Sequence, residues 1–132
     1  GDPSLTTPQG NLTGNINGDT FSSPDGIRVD PEGRLWVQTD HSVPGNSGVS
    51  GRTIEDVFGH NAMFNIDRET AESKRFLVGP EGCEITGIAY TPDLKNFFIN
   101  IQHPTGNWPV QGEEPRSSTV VVQRSDSEPV GA

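Results

Sequence analysis

Two carboxylates in this chain stand where they could bind a metal ion. Glu84 begins a predicted strand in Cys83-Glu-Ile-Thr-Gly87, and Asp25 precedes the glycine of Ser23-Pro-Asp-Gly26. Carboxylates are preferred ligands of Ca²⁺, which takes about six to eight oxygen atoms. Each residue also has an ordinary explanation, because a glutamate at a strand start is commonly solvated and an aspartate in Pro-Asp-Gly commonly bonds its own backbone. From the residues alone, the ordinary explanation is favoured for both.

Cys83 is the single cysteine of the chain, so no internal disulfide can form. A thiolate is a chemically reasonable ligand for iron. A lone cysteine is more often a small buried hydrophobic residue, and that interpretation is favoured here.

Three histidines, at positions 41, 60 and 103, lack the short spacing of a metal site. His103 ends a predicted strand beside Pro104 and could bind phosphate when protonated or a metal when neutral. A structural hydrogen-bonding role is the favoured alternative for it. The same choice between ligand and strand cap applies to three further residues, Asp40, Asn61 and Asn100.

The candidate residues lie on a hairpin that occurs twice in the sequence. Gly26-Ile-Arg-Val-Asp-Pro-Glu-Gly-Arg-Leu-Trp-Val-Gln-Thr-Asp40 returns in looser form as Gly87-Ile-Ala-Tyr-Thr-Pro-Asp-Leu-Lys-Asn-Phe-Phe-Ile-Asn-Ile-Gln102. A repeat of about 60 residues is typical of stacked β units such as propeller blades. Two such units are too few to close a propeller, so the pattern predicts part of a larger one.

The predicted fold class is all-β, with antiparallel strands forming about two propeller blades and few or no helices. Blade one takes residues 23–79 with four strands, and blade two takes residues 83–125 with three. Residues 52–58 could form a single helical turn. We predict an extended N-terminal arm at residues 1–22, a β-propeller-like domain at residues 23–125 and a flexible tail at residues 126–132.

Composition limits the class of protein and of partner. The 132 residues suffice for one domain with a modest core, and 16 Gly and 11 Pro are typical of short strands joined by turns. The net charge of −9, without a Lys/Arg cluster, argues against a nucleic-acid partner. No apolar run reaches the roughly 18 residues of a membrane span, and no signal-peptide pattern stands at the start.

Several segments carry a resemblance to a known family. The most specific is Phe98-Ile-Asn-Ile-Gln-His-Pro104. The others are Ser23-Pro-Asp-Gly26, Asp30-Pro-Glu-Gly-Arg-Leu-Trp-Val-Gln-Thr-Asp40, Gly59-His-Asn-Ala-Met63, Arg75-Phe-Leu-Val-Gly-Pro80, Cys83-Glu-Ile-Thr-Gly87 and Thr91-Pro-Asp93. In their order and spacing, residues 22–124 resemble the C-terminal part of the PhoX-type alkaline phosphatases, which are secreted bacterial phosphomonoesterases.

The resemblance implies a six-bladed β-propeller with an appended smaller region. It also implies a periplasmic or secreted protein, commonly exported in folded form by the twin-arginine route. Members hydrolyse phosphomonoesters with a cluster of calcium and iron ions at one mouth of the propeller, and their ligands come from different blades.

For Glu84, the resemblance reverses the preference that the residues alone gave. Glu84 is now predicted to be a calcium ligand, with Asp25 as a second metal candidate and His103 as a candidate for substrate binding. The family's iron-binding cysteine lies in an earlier part of the chain, so Cys83 is not expected to bind iron. The sequence departs from the usual pattern at His60, where Asn is more frequent, and at Leu94-Lys-Asn96, which replaces a Gly-Arg turn.

The predicted function is that of a C-terminal fragment of an alkaline phosphatase. Ca²⁺ is expected in the parent protein, with iron as a second metal, and the fragment is expected to be inactive alone. One alternative is a non-catalytic, propeller-derived binding or structural module. Another is a homo-oligomer that forms through exposed sheet edges.

Overall fold

The computed structural model describes residues 17–41 and 51–132. No helix in these two ranges has the length and apolar character needed to cross a bilayer. Predictions for residues 1–16 and 42–50 lie outside the described residues. The elements are β1 (Asn17–Gly18), β2 (Pro24–Val29), β3 (Leu35–Thr39), α1 (Ile54–Phe58), β4 (Ala62–Ile66), β5 (Glu72–Val78), β6 (Glu84–Tyr90), β7 (Phe97–Gln102) and β8 (Ser118–Val122).

Five strands form the first sheet, in the order β1-β5-β4-β3-β2. Strands β2 to β5 pair antiparallel with their neighbours, as predicted for blade one. β1 pairs in parallel with β5, and the Asp19 carboxylate accepts a hydrogen bond from the Arg75 backbone at 2.7 Å. The end of the predicted arm therefore adds an edge strand to the blade, because β5 has backbone groups free to pair.

Three strands form the second sheet, in the order β6-β7-β8 and antiparallel throughout. Among the described residues, the outer edge of β8 has no strand partner. β6 contacts β2, β3 and β4 of the first sheet. The predicted all-β fold of two partial blades is confirmed, and α1 is the single helical turn expected near residues 52–58.

A buried amide joins the two hairpins at their bulges. The register shifts between Pro24 and Ile27 in β2 and between Thr86 and Ile88 in β6. Gln38 lies between these bulges and donates from Nε2 to the Gly87 carbonyl at 2.8 Å. A Cβ at Gly26 would lie 2.5 Å from Gln38 Oε1, so a larger residue there would displace the buried Gln38 amide.

The turn of the first hairpin is built around the buried carboxylate of Asp30. Its Oδ1 accepts from the backbone of Arg34 at 3.0 Å, and its Oδ2 accepts from Arg34 Nε at 2.7 Å and Trp36 Nε1 at 2.9 Å. Burial alone would raise the pKa of Asp30, but the hydrogen bonds from Trp36 and Arg34 outweigh it and lower the pKa. The charged form therefore contributes stability that is lost as pH falls through the lowered pKa.

The hydrophobic core lies between the two sheets. In β7, side chains alternate, so that Phe97, Ile99 and Ile101 are buried while Phe98 is 38% exposed. The strand's alternation turns Phe98 to the face opposite the core. The buried cluster comprises Trp36, Met63, Cys83, Ile85, Leu94, Phe97, Ile99, Ile101 and Val130.

The last seven residues differ from the predicted flexible tail. Val130 is 0% exposed and its backbone N–H donates to the Leu94 carbonyl at 2.9 Å. At Gly131, a Cβ would lie 2.8 Å from the Trp36 ring, which shows how closely the chain passes the core. An apolar side chain that fills a gap beside Leu94 and Trp36 holds this segment in place.

We expect the substitution Val130→Ala to lower the free energy of unfolding by about 2 kcal/mol, through lost apolar burial and the cavity left behind. Chemical denaturation monitored by circular dichroism measures the change. The matched control is Val121→Ala, because Val121 is 54% exposed and its truncation should cost at most about 0.5 kcal/mol. Equal effects of the two substitutions would contradict the buried position of Val130.

Candidate metal centre

Three carboxylates converge where the two sheets meet. Asp25, Asp40 and Glu84 each place a carboxylate oxygen within 4.8 Å of those of the other two. Asp25 lies in the bulge of β2, Asp40 directly follows β3, and Glu84 begins β6. We call these three residues the acidic cluster. Hard cations that prefer oxygen ligands, such as Ca²⁺, suit this donor set.

The bulge of β2 and the end of β3 bring Asp25 to Asp40. Pro24 pairs with Thr39 in the sheet register, and the Asp40 N–H donates to the Ser23 carbonyl at 3.0 Å. A bulge commonly redirects a side chain relative to a regular strand. The extra residue here lies between Pro24 and Ile27, next to the pairing that ends the ladder.

The buried side chain of Asn61 connects the chain on either side of Asp40 to the residue before Glu84. Asn61 Oδ1 accepts from Thr39 Oγ1 at 2.8 Å and from the His41 N–H at 2.9 Å. Its Nδ2 donates to the His41 carbonyl at 3.0 Å and to the Cys83 carbonyl at 2.8 Å. These four bonds use the full hydrogen-bonding capacity of the amide. The Asn61 side chain thus binds the backbone next to Asp40 and the backbone next to Glu84. These contacts fix the positions of the two carboxylates relative to each other.

Bringing three carboxylates together affects the protonation of Glu84. Burial raises its pKa first, and the negative charges of Asp40 and Asp25 raise it further. His103 and a hydrogen bond with Thr86 oppose the rise without cancelling it. A bound cation would reverse the like-charge repulsion, so the cluster favours a positively charged ligand.

The acidic cluster opens into a groove of about 490 Å³. His103 lines the groove together with Asp40 and Glu84, so the structure brings the predicted substrate-binding histidine to the predicted metal ligand. The His103 backbone N–H donates to Ser117 Oγ at 3.1 Å, and its φ of 50° lies in the left-handed region. The full lining is Asp40, His41, Glu81, Gly82, Glu84, His103 and Thr105.

His41 is a buried base in the wall of this groove. It is 5% exposed, and neither ring nitrogen has a hydrogen-bond partner among the residues that the structure describes. Burial lowers its pKa, while the Gly59 backbone and the carboxylates of Glu55 and Asp40 act in the opposite direction. A buried imidazole that lines a groove beside carboxylates has the capacity to accept a ligand.

The sequence predicts Asp25 and Glu84 as metal candidates, leaves Asp40 open between ligand and strand cap, and favours a structural role for His41. The signal for Asp40 is in the first hairpin itself, because antiparallel pairing of its strands must bring the residue after Thr39 to the start of β2. No sequence signal identifies His41, since its burial depends on segments that are distant in the chain.

Cys83 does not belong to the acidic cluster. It is 1% exposed, and burial raises the pKa of its thiol to about 11. A protonated, buried thiol packs as a small apolar group. His60, where the family more often has Asn, pairs with Glu55 in the first turn of α1.

Comparison with known proteins settles the family. A model of the family described as alkaline phosphatase PhoX matches residues 1–105 of the chain. The chain belongs to the PhoX family. The resemblance that the sequence motifs predicted is therefore confirmed. A comparison with curated proteins finds no match.

A solved structure supports the PhoX assignment and shows how much of the enzyme this chain represents. The chain is similar to Pseudomonas fluorescens PhoX in complex with vanadate, a transition state analogue, with 40% sequence identity and a TM-score of 0.75. The match covers 86% of this chain and 20% of the Pseudomonas chain. The chain thus spans about a fifth of the length of that PhoX protein.

We expect the substitution Asp40→Asn to lower the pKa of Glu84 toward its ordinary value, because a neighbouring negative charge is removed. Titration of the side-chain carboxyl carbons by NMR, without added metal, measures this pKa directly. Glu81→Gln is the control, since Glu81 lines the same groove but is not among the charges that raise the pKa of Glu84. An unchanged pKa in Asp40→Asn would show that the two carboxylates do not interact.

Proposed function

We propose that this chain supplies part of the active site of a metal-dependent phosphomonoester hydrolase. The observation that carries the proposal is the acidic cluster, which three separate strands bring together in a member of the PhoX family. Clustered acidic groups occur on many proteins without a ligand. The buried ring of His41, whose nitrogens have no hydrogen-bond partner of good geometry among the described residues, lines the same groove and also supports a binding site there.

The residues present fit calcium better than iron. Asp25, Asp40 and Glu84 would hold the ion, and all three offer the hard oxygen ligands that Ca²⁺ prefers. Within the described residues, the buried thiol of Cys83 lies outside the cluster, so an iron ion in the parent protein would draw its ligands from elsewhere. A bound divalent cation would neutralise phosphoryl oxygens and polarise the ester bond.

The other groove residues would bind and orient the phosphomonoester. His103, at the exposed end of β7, would donate a hydrogen bond to a phosphoryl oxygen when protonated. Thr105 is held by the Glu81 carbonyl, to which its Oγ1 donates at 3.0 Å, and this contact fixes the rim of the groove beside His103. Vanadate in the Pseudomonas PhoX complex is a transition state analogue, which agrees with a site for a phosphoryl group.

The chain alone would not complete this site. Three carboxylates leave most of the coordination positions of Ca²⁺ to other ligands, and the chain covers 20% of the Pseudomonas PhoX chain. The remaining ligands would come from other blades of the parent protein, so the isolated chain would be inactive. A periplasmic or secreted location suits such a site, since weak calcium sites of extracellular modules bind at about 10⁻⁴–10⁻³ M.

A second candidate role is self-association. The outer edge of β8 has no partner among the described residues, and Val121 on this strand is 54% exposed. Open edges of this kind pair with strands of other chains. A sedimentation coefficient that rises with protein concentration would support this role, and a constant monomer value would exclude it.

We expect the chain to bind Ca²⁺ in calorimetric titration and Glu84→Gln to weaken the affinity roughly ten- to hundredfold, because a charged ligand is lost. Glu81→Gln removes the same charge from the same groove without touching the acidic cluster and should leave the affinity nearly unchanged. Equal calcium binding by the chain and by Glu84→Gln would refute the assignment of Glu84. An equal loss in both variants would show a diffuse electrostatic effect in place of a site.

A further inference from the structure

The backbone of His103 is held in an unusual conformation. Its φ of 50° lies in the left-handed region, which residues with a Cβ seldom adopt. The following residue is Pro104, and a residue before proline ordinarily keeps an extended backbone. Such a conformation costs free energy and persists only where neighbouring contacts hold it. Because His103 also lines the groove of the acidic cluster, the contacts that hold it bear on the function of the groove.

The left-handed backbone turns the imidazole away from the core and into the groove. Side chains alternate along β7, with Phe97, Ile99 and Ile101 on the buried face. Position 103 continues this series, so regular alternation would direct its side chain toward the core. Instead His103 is exposed, lines the groove and lies close enough to Glu84 to oppose the rise of its pKa. The turn therefore places the imidazole beside the acidic cluster.

Thr105 attaches this turn to the chain that leads into β6. The Glu81 carbonyl accepts from the Thr105 N–H at 2.9 Å and from Thr105 Oγ1 at 3.0 Å. Glu84 lies opposite Gln102 in the sheet, and the same register, continued past the strand ends, would bring Glu81 opposite Thr105. The chain on the far side of His103 is therefore fixed to β6, as β7 is on the near side.

Gly82 leaves the space that Thr105 occupies. A Cβ at position 82 would lie 2.6 Å from Thr105 Oγ1 and 2.7 Å from its Cγ2, so a side chain there would displace Thr105. Gly106 provides a comparison, because its φ of 68° nearly equals the φ of 67° at Gly82. Among the described residues, a Cβ at position 106 would approach only Glu81 Oε2, at 3.8 Å.

We propose that Thr105 and Gly82 are positioning residues, which hold the left-handed turn at His103 and so keep its imidazole where it meets a phosphoryl oxygen. This inference rests on the proposed function, in which His103 binds the phosphate of the substrate. It adds that Thr105 acts through His103, not through its own contact with the phosphate. All the contacts that carry the inference join residues of this chain, so they do not depend on the other blades of the parent protein.

Phosphate titration of the ¹⁵N- and ¹³C-labelled chain in calcium, followed by NMR, tests the inference with inorganic phosphate as the probe. Phosphate should move the imidazole signals of His103 in the unmodified chain. Gly82→Ala should weaken phosphate binding about tenfold, as expected for the loss of a hydrogen bond to a charged group. Gly106→Ala carries the same backbone strain without displacing Thr105, so it should bind phosphate nearly as the unmodified chain does. Calcium affinity should be equal in both variants, because neither glycine belongs to the acidic cluster.

Two substitutions at Thr105 test its hydrogen bond directly. Thr105→Ser keeps the hydroxyl donor and should preserve the phosphate affinity, whereas Thr105→Val keeps the shape but loses the donor and should weaken it. The one-bond Cα–Hα coupling of His103 distinguishes positive from negative φ. Without phosphate present, this coupling should change in Thr105→Val and in Gly82→Ala, and it should stay the same in Thr105→Ser and Gly106→Ala.

Equal phosphate affinity in Gly82→Ala, Gly106→Ala and Thr105→Val, with the His103 signals still moving, would overturn the inference and leave the proposed function standing. Weaker binding with an unaltered His103 coupling would also overturn it, because Thr105 would then contact the phosphate itself. If phosphate moves no His103 signal in the unmodified chain, the proposed role of His103 fails and the inference fails with it.

Discussion

The Asn61 side chain forms four buried hydrogen bonds, and the geometry of the acidic cluster depends on them. Two of the partners, Thr39 and the His41 backbone, flank Asp40, and the Cys83 carbonyl precedes Glu84. Asp25 is added to this arrangement by the pairing of Pro24 with Thr39. The three carboxylates are therefore held by backbone contacts rather than by contacts to one another. A saturated amide has no alternative arrangement with equal bonding, so the convergence is rigid.

This arrangement brings like charges close together, and a bound cation would offset their repulsion. Folding places Glu84 near two like charges and partly removes it from water, and its raised pKa reflects both effects. At the other end of the first hairpin, Asp30 shows the opposite case, since donors from Arg34 and Trp36 stabilise its charge and lower its pKa. The fold therefore supplies Asp30 with an arginine, whereas none of the described lysines and arginines pairs with a carboxylate of the acidic cluster. Groups left in this state are typical of binding sites.

Much of the fold follows from local pattern, whereas the site follows from contacts between distant segments. The repeated hairpin predicts β2, β3, β6 and β7 because alternating apolar residues and Pro-Asp or Pro-Glu turns are local signals. The bulge glycines Gly26 and Gly87 are part of the repeat, but the hydrogen bond from Gln38 to the Gly87 carbonyl needs both sheets at once.

The same difference between local pattern and distant contacts decides which site residues the sequence predicts. Glu84 and Asp25 stand in segments with a family signature, while Asn61 was as well explained as a strand cap. Its role depends on a distant contact, because the carbonyl of Cys83, 22 positions further along the chain, accepts its hydrogen bond. Val130 could not be found in advance either, because a short apolar residue near a chain end becomes core only if Leu94 and Trp36 leave a gap for it.

Calcium titration of Asn61→Ala and Asn65→Ala tests most directly whether Asn61 organises the acidic cluster. Both substitutions remove an amide from neighbouring positions of the same chain segment, but Asn65 lies at the far end of β4 from the cluster. Circular dichroism first establishes that each variant is folded. The account predicts that Asn61→Ala weakens calcium binding about ten- to hundredfold, the usual effect of removing a residue that orients the ligands, while Asn65→Ala binds as the unmodified chain does. A folded Asn61→Ala chain that binds calcium with undiminished affinity would contradict the account.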